Sequence, residues 1–289
     1  MYKLIITLIV LGIMATNSKT YSQESSSENK NKSKKIGIAL SGGGALGYAH
    51  IGFLQAMEEY KINPEVISGT SMGSIIGVLY SAGYKPIEIF DLVDKENMNS
   101  LFNVIKLNKS FGKGFFNHDK LRKLLEKSIS HNSFDSLKTK FYCCVTDFNT
   151  ASYRHISKGG YLREYISASA SIPIIYEPVE VEGEQYVDGG LMQNLPVEPL
   201  IEEGCDLIIG VDVVSATKRI EVSGLSNILD RTITLTIMQN TSFWAEKCNY
   251  VVKPNLQDYT IMDFDKANEL FEIGYQAGLI FFKNYKRYF

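Results

Sequence analysis

Gly69-Thr70-Ser71-Met72-Gly73 lies between Pro64-Glu65-Val66-Ile67-Ser68 and the apolar run Ser74 to Ala82, which is closed by Gly83. The first flank is short and β-branched and reads as a buried strand. The second reads as a helix with a glycine where a helix stops. G-x-S-x-G alone is short enough to arise by chance, and the strand before and helix after give it meaning. A serine between two glycines at a strand-to-helix junction is a nucleophile elbow, a turn too sharp for bulk at either side. The helix that follows would point its free N–H groups at any negative charge forming there.

Upstream, Ile36-Gly37-Ile38-Ala39-Leu40 reads as the first buried strand. It runs into Ser41-Gly42-Gly43-Gly44-Ala45-Leu46-Gly47 and then a helix over Tyr48 to Tyr60. Downstream, a helix starts with Pro86 as its first residue. Residues 95–117 read as a loop-rich cap holding Phe102, Phe111, Phe115 and Phe116, followed by a helix from Asp119 to Ser130. Phe141 to Phe148 reads as a central strand, paired through a turn at Asn149 with Ala151 to Ser157. A helix from Tyr161 leads into the small-residue segment Ser167 to Pro173. A hairpin over Val179 to Val187 then delivers Asp188-Gly189-Gly190. A buried strand over Leu207 to Val213 and long helices from Ser226 and Asp265 close the chain. Strands alternating with helices predict an α/β fold with a mostly parallel sheet covered on both faces.

The chain has 289 residues, 45% hydrophobic and 21% charged, with a formal charge of −2, which gives no reason to expect a nucleic-acid partner. Cys143, Cys144, Cys205 and Cys248 show no metal-binding spacing and read as buried free thiols. Lys3, the apolar run Leu4 to Ala15 and the polar stretch to Gln23 fit a secretory signal peptide over residues 1–22, cut after Ser22. An uncleaved membrane anchor is the alternative. The signal-peptide reading predicts export to the periplasm, the outer membrane or the medium. Residues 23–35 hold no apolar patterning up to the first strand and read as a flexible linker.

The glycine loop admits two readings. Gly42, Gly44 and Gly47 satisfy the dinucleotide fingerprint G-x-G-x-x-G. That reading wants an acidic residue at the end of the second strand, where this chain has Val66-Ile67-Ser68, and an exported chain is a poor place for a nicotinamide cofactor. The other reading is an oxyanion hole, in which consecutive glycines turn backbone N–H groups toward one point. Loop and elbow each follow a strand, so both fall at one carboxyl edge of a parallel sheet. The base is not an obvious histidine: of His50, His118, His131 and His155, none lies late in the chain as an α/β-hydrolase order requires. His50 reads as a packing residue, and the other three as solvated. Asp188, set after a strand and before two glycines, is either a turn aspartate capping backbone N–H groups or a base able to take the Ser71 proton directly.

Ser41 to Gly47, Gly69 to Gly73 and Asp188-Gly189-Gly190, in this order, resemble the patatin-like phospholipases over most of the chain from Lys35 to Val214. Ala49-His50-Ile51-Gly52, Ser167 to Pro173 and Asn194-Leu195-Pro196-Val197 resemble the bacterial and neuropathy-target-esterase branch. The resemblance implies a three-layer α/β sandwich over residues 36–289, with core motifs in 36–214 and a helical part in 215–289. It implies Ser71 as nucleophile, Asp188 as proton acceptor and Gly42, Gly43 and Gly44 as the oxyanion hole, with Gly47, Gly69, Gly73, Gly189 and Gly190 as motif support. It further implies a metal-free, cofactor-free hydrolase of fatty-acyl esters in phospholipids or lysophospholipids. One position departs from the pattern: Leu46 stands where the family usually has Arg or Lys. The aromatic and basic end, Phe271 to Phe289, suits either a membrane surface or a helix docked on the sheet with a basic tip. An inert lipid-binding protein of the same fold is the rival reading.

Overall fold

Along β1 (Ile36–Leu40) alternate side chains feed two different cores. Ile36, Ile38 and Leu40 enter the larger apolar cluster, while Ala39 joins a smaller one with Leu195, Leu200 and Trp244 on the opposite face. Gly37 also faces the second core, where a Cβ would come within 2.9 Å of Cys205 Sγ. β7 (Leu207–Val211) repeats the division, with Leu207, Ile209 and Val211 on one side and Ile208 on the other. A sheet buried on both faces makes three layers, as the sequence leads one to expect.

The computed structural model describes residues 34–95, 118–173, 175–215 and 224–288, all within the unit Lys34–Phe289. The readings for residues 1–33 and for the cap over 96–117 lie outside the described residues. The strands are β1, β2 (Val66–Gly69), β3 (Lys140–Asp147), β4 (Ser152–Ile156), β5 (Val179–Val181), β6 (Glu184–Asp188), β7 and β8 (Tyr250–Val252). They run β5-β6-β3-β2-β1-β7-β8, with β4 also on β3. The pairs β3–β2, β2–β1, β1–β7 and β7–β8 are parallel, and the hairpin strands at the β3 side are antiparallel.

The register brings the distant motifs together. Gly69 at the end of β2 pairs with Leu40 on one side and Cys143 on the other. β3 outruns β2 by four residues, and β6 pairs antiparallel with that overhang, Asp188 opposite Val145. The last residue of β6 therefore lands at the carboxyl edge beside the elbow.

Helix α1 (Tyr48–Glu59) follows β1, α2 (Met72–Ala82) follows β2, and α3 is Pro86–Lys95. Gly83 ends α2 in the left-handed conformation at φ 103°, a C-cap that favours glycine. After α4 (Asp119–Ser128), α5 (Leu162–Ser169) and α6 (Glu198–Glu202) come the two long helices, α7 (Leu225–Ala245) and α8 (Ala267–Tyr285). α8 docks mainly on α1 and reaches the sheet at its edge strand β8. At Gly52 and Gly274 the backbones approach so closely that a Cβ on either would stand 2.0 Å from a carbonyl oxygen of the other helix. Its Phe281 ring also meets Tyr250 of β8, while Lys286 and Arg287 stay exposed. Among the described residues no helix is long and apolar enough to cross a membrane.

Candidate active site

Ser71 sits at φ 52° and ψ −124°, a conformation that costs a non-glycine residue about 1–3 kcal/mol and marks a built turn. The flanking glycines are fixed by contact: a Cβ at Gly69 would stand 2.4 Å from Gly73 O, and one at Gly73 would stand 2.5 Å from Leu40 O. The Ser71 hydroxyl donates to Asp188 Oδ2 at 2.7 Å. The second carboxylate oxygen, Oδ1, accepts from Gly190 N–H at 2.8 Å. The Asp188 backbone is held on both sides, its N–H donating to Ser171 O and its carbonyl accepting from Thr146 Oγ1. Ser71 N–H donates to Ser169 Oγ, which in turn donates to Cys144 O, so the elbow is tied to β3.

Both side chains are nearly enclosed, 5% exposed for Ser71 and 6% for Asp188. Burial pushes the Asp188 carboxyl up to about 7 against the pull of the Gly190 and Ser71 hydrogen bonds, which favour the carboxylate. An acid poised there is half ionised near neutrality and suited to general-base work.

The glycine loop lies across from this pair, and its members do different things. Gly42 N–H donates to Asn194 O at 3.1 Å, and a Cβ there would stand 3.0 Å from Ser71 Cβ, so Gly42 serves close packing. Gly43 and Gly44 line a narrow cavity of about 30 Å³ with Ser71 and Asp188. Gly44 has φ +54°, with a hypothetical Cβ 2.4 Å from Ile261 O. Gly47 seats α1 against the elbow, a Cβ there falling 2.2 Å from Met72 Cγ. Gly189 packs on Cys144 O and Gly190 on Asn194 Oδ1 in the same manner. Leu46 is fully buried in the larger core and brings no charge to the loop.

Asn194 is the residue whose part was not legible. Its side-chain amide donates to Thr241 Oγ1 of α7, and its backbone N–H donates to Asn240 Oδ1, also of α7. Asn240 Nδ2 donates to Gly190 O. The helix is thus latched to the loop that carries Asp188, while Ile233 and Ile237 on its inner side close the cavity.

The histidines need two corrections. His50 is a buried packing residue, as read: its Nε2 bonds Ser41 O at 2.7 Å, and burial lowers it to about 4. His118 is not solvated; it is buried, stacked on Tyr176 at 4.3 Å and lowered to about 4 by burial and Arg122. Ser171 Oγ spends its one proton on Ser167 O, so His118 Nε2 donates to it, behind the residue that holds Asp188 N–H. His155 is largely enclosed too, bonded through Nε2 to Gln193 Oε1 and lowered by burial. His131 is exposed, as expected. Cys143 and Cys144 are buried, whereas Cys205 and Cys248 are only half-buried. Among the described residues no cluster of His, Cys, Asp and Glu could hold a metal ion.

A serine on a strained elbow, bonded to a buried carboxyl at the carboxyl edge of an α/β sheet, brings a nucleophile and a proton acceptor within hydrogen-bond reach of each other. Comparison with known proteins places the chain more closely. The family model for patatin-like phospholipase matches residues 38–201. The chain is 30% identical over 274 residues to lysophospholipase NTE1 of Saccharomyces cerevisiae, covering 85% of this chain and 16% of the yeast protein. It is 30% identical over 277 residues to lysophospholipase NTE1 of Pyricularia oryzae, covering 86% and 18%. VipD from Legionella pneumophila shares the fold, with a TM-score of 0.52 at 15% identity over 88% of this chain and 67% of that one. The chain belongs to the patatin-like phospholipase family. It spans less than a fifth of the length of the curated relatives it matches.

These relatives also correct the reading of export. The fungal NTE1 enzymes are intracellular, and the assignment to periplasm, outer membrane or medium drawn from Leu4 to Ala15 is withdrawn. With it goes one of the two arguments against a dinucleotide site. The other stands, since β2 ends in Ser68-Gly69 and supplies no acid for a ribose.

Proposed function

We propose that the chain hydrolyses fatty-acyl esters of phospholipids or lysophospholipids, with Ser71 as nucleophile and Asp188 as its base. The observation that carries the reading is the 2.7 Å hydrogen bond from Ser71 Oγ to Asp188 Oδ2. The family and the NTE1 relatives supply the substrate class.

In the first half-reaction the Asp188 carboxylate takes the hydroxyl proton as Ser71 Oγ bonds to the ester carbonyl carbon. The carbonyl electron pair moves onto its oxygen, which faces the Gly43 and Gly44 N–H groups and the N-terminus of α2. Collapse of this intermediate breaks the bond to the lipid oxygen, and that oxygen leaves with the proton from Asp188. In the second half, Asp188 takes a proton from water while the water oxygen attacks the acyl-serine. Ser71 leaves with that proton and the fatty acid is free. Loss of one oxyanion donor in such a scheme raises the barrier by ~2.7–4 kcal/mol.

The test is fatty-acid release from lysophosphatidylcholine by the wild type, Ser71→Ala and Asp188→Asn, with fluorophosphonate labelling alongside. The proposal requires turnover and labelling in the wild type and neither in Ser71→Ala. Failure of the wild type to label would point to the inert lipid-binding reading.

A further inference from the structure

Eight large apolar side chains are exposed among the described residues, and three of them, Ile228, Leu235 and Phe243, belong to α7. They are 50%, 54% and 56% exposed, whereas the other five are scattered: Ile87, Ile201 and Ile280 on three different helices, Phe148 in the turn after β3 and Tyr161 just before α5. Spaced seven and eight residues apart, the three keep to one side of the helix, and Ile237, nine residues after Ile228, is on the side about 180° away.

From this face we infer that α7 is the surface on which the protein settles on a zwitterionic phospholipid leaflet. The inference rests on the acyl-ester hydrolysis proposed above and names where that lipid is met.

Four observations support it. Asp230 and Arg231 are the only charged residues between Leu225 and Ala245, so the helix gives up little charge hydration on leaving water. Two of the four exposed polar side chains described on the helix are already satisfied: Thr232 Oγ1 donates to Ile228 O at 2.8 Å and Thr236 Oγ1 to Thr232 O at 3.0 Å, the other two being Gln239 and Ser242. Hydroxyls bonded to their own helix can face an apolar medium without losing a partner. The stripe ends on a cation beside an aromatic ring, Lys247 Nζ standing 4.9 Å from the centre of Phe243. That pairing suits the level of the lipid phosphates, which Arg231 near the other end of the stripe also complements.

The fourth observation is position. The inner side of this helix supplies Ile233 and Ile237 to the cavity beside Ser71, and Asn240 latches it to the Asp188 loop. A leaflet on the outer face lies one helix diameter, about 10 Å, from the cavity that Ser71 lines. The cavity of about 30 Å³ has room for one or two waters and none for an acyl chain. The helix that meets the lipid is thus also one wall of the cavity that lipid has to enter. Hydrolysis of lipid in a leaflet should therefore depend on this face, and hydrolysis of a dissolved short-chain ester should not.

The test uses the full chain in two arms. In the first, Leu235→Trp is made in a Trp244→Phe background, with and without Ser71→Ala, and mixed with phosphatidylcholine vesicles brominated in the acyl chains. Quenching of the introduced tryptophan by half or more is expected. Its absence on vesicle-bound protein overturns the inference, since binding through any other part of the chain leaves that signal unchanged. In the second arm, Ile228→Ser, Leu235→Ser and Phe243→Ser are combined. Hydrolysis of vesicle phosphatidylcholine should fall at least ten-fold, while turnover of monomeric p-nitrophenyl butyrate stays within two-fold. An equal loss on both substrates, no loss on vesicles, or a dimer abolished by the three changes would each overturn it. If the wild type turns over neither substrate, the hydrolase proposal fails and the quenching arm still decides the surface.

Discussion

Replacing Asp188 by Asn separates the chemistry of its carboxylate from the cost of burying it. In the folded chain the group titrates at about 7, against 3.8 in an unperturbed one. At 1.36 kcal/mol per decade, the difference is worth at most about 4 kcal/mol. The sign follows from where the proton goes. Between these two values the folded state holds a proton that the unfolded chain has released, so raising the pH favours unfolding. The wild type is thus weakened as the pH climbs toward 7 and levels off above it. The carboxamide of the Asp188→Asn variant would be neutral throughout, can still accept from Gly190 N–H, and carries no such loss. The stability of Asp188→Asn over wild type should grow from pH 4 to pH 8 by up to about 4 kcal/mol. His50 and His118, both held at about 4, pull the other way in both proteins and are lost as stabilising groups when the pH falls through 6.5 toward 4. The comparison is therefore between the two curves, by urea unfolding at each pH followed by circular dichroism. Wild-type kcat/KM should rise through pH 7 over the same range, and the variant should be inactive. A stability gap that does not change with pH, or an activity limb near 4, would refute the reasoning.

Three further predictions use the same geometry. Ser71→Gly should be more stable than Ser71→Ala by about 1 kcal/mol, because φ 52° is strained only for a residue with a Cβ; thermal melts of the two inactive variants measure it. Gly73→Ala forces a Cβ to 2.5 Å from Leu40 O, and should cost about 3 kcal/mol with loss of fluorophosphonate labelling. Asn240→Ala removes the bonds to Gly190 O and from Asn194 N–H, which predicts a loss of about 2 kcal/mol and a fall in kcat larger than any change in KM.

What the sequence made legible is what neighbouring residues determine. The elbow, the glycine loop and the hairpin that ends at Asp188 each declare themselves within ten residues, through turn chemistry and alternation. The partnership of Ser71 and Asp188, 117 positions apart, is left open by the residues themselves, where Asp188 could equally cap a turn, and is reached only through the family resemblance. His118 was misread because its neighbours Asn117, Asp119 and Lys120 are polar, while its surroundings are made by Ser171 and Tyr176, more than fifty residues on. His155 lies on a strand beside exposed Arg154, and it is Gln193 that takes it out of water. β8, three residues long, holds too little pattern to be seen before β7 is placed beside it. Asn194 stands in a stretch that the resemblance picks out, but its part in the site is not legible there, because each of its bonds crosses to another element.

Leu46 shows how a local departure can matter less than it looks and still shape the chemistry. The resemblance sets a cation at this place, yet Leu46 is wholly enclosed and belongs to the larger core. A charge there would have to be buried or would have to push the glycine loop outward. Without it, the mechanism proposed above leaves the developing oxyanion to groups that do not titrate, the Gly43 and Gly44 N–H groups and the first turn of α2. Among the described residues that line the cavity, Asp188 is the sole titratable one. A histidine or lysine in the site would impose a second limb on the pH profile, as its proton was lost. This site should give a single rise through pH 7 followed by a plateau to about pH 9, and a fall at the alkaline end in the folded enzyme would mean that another group takes part in the reaction.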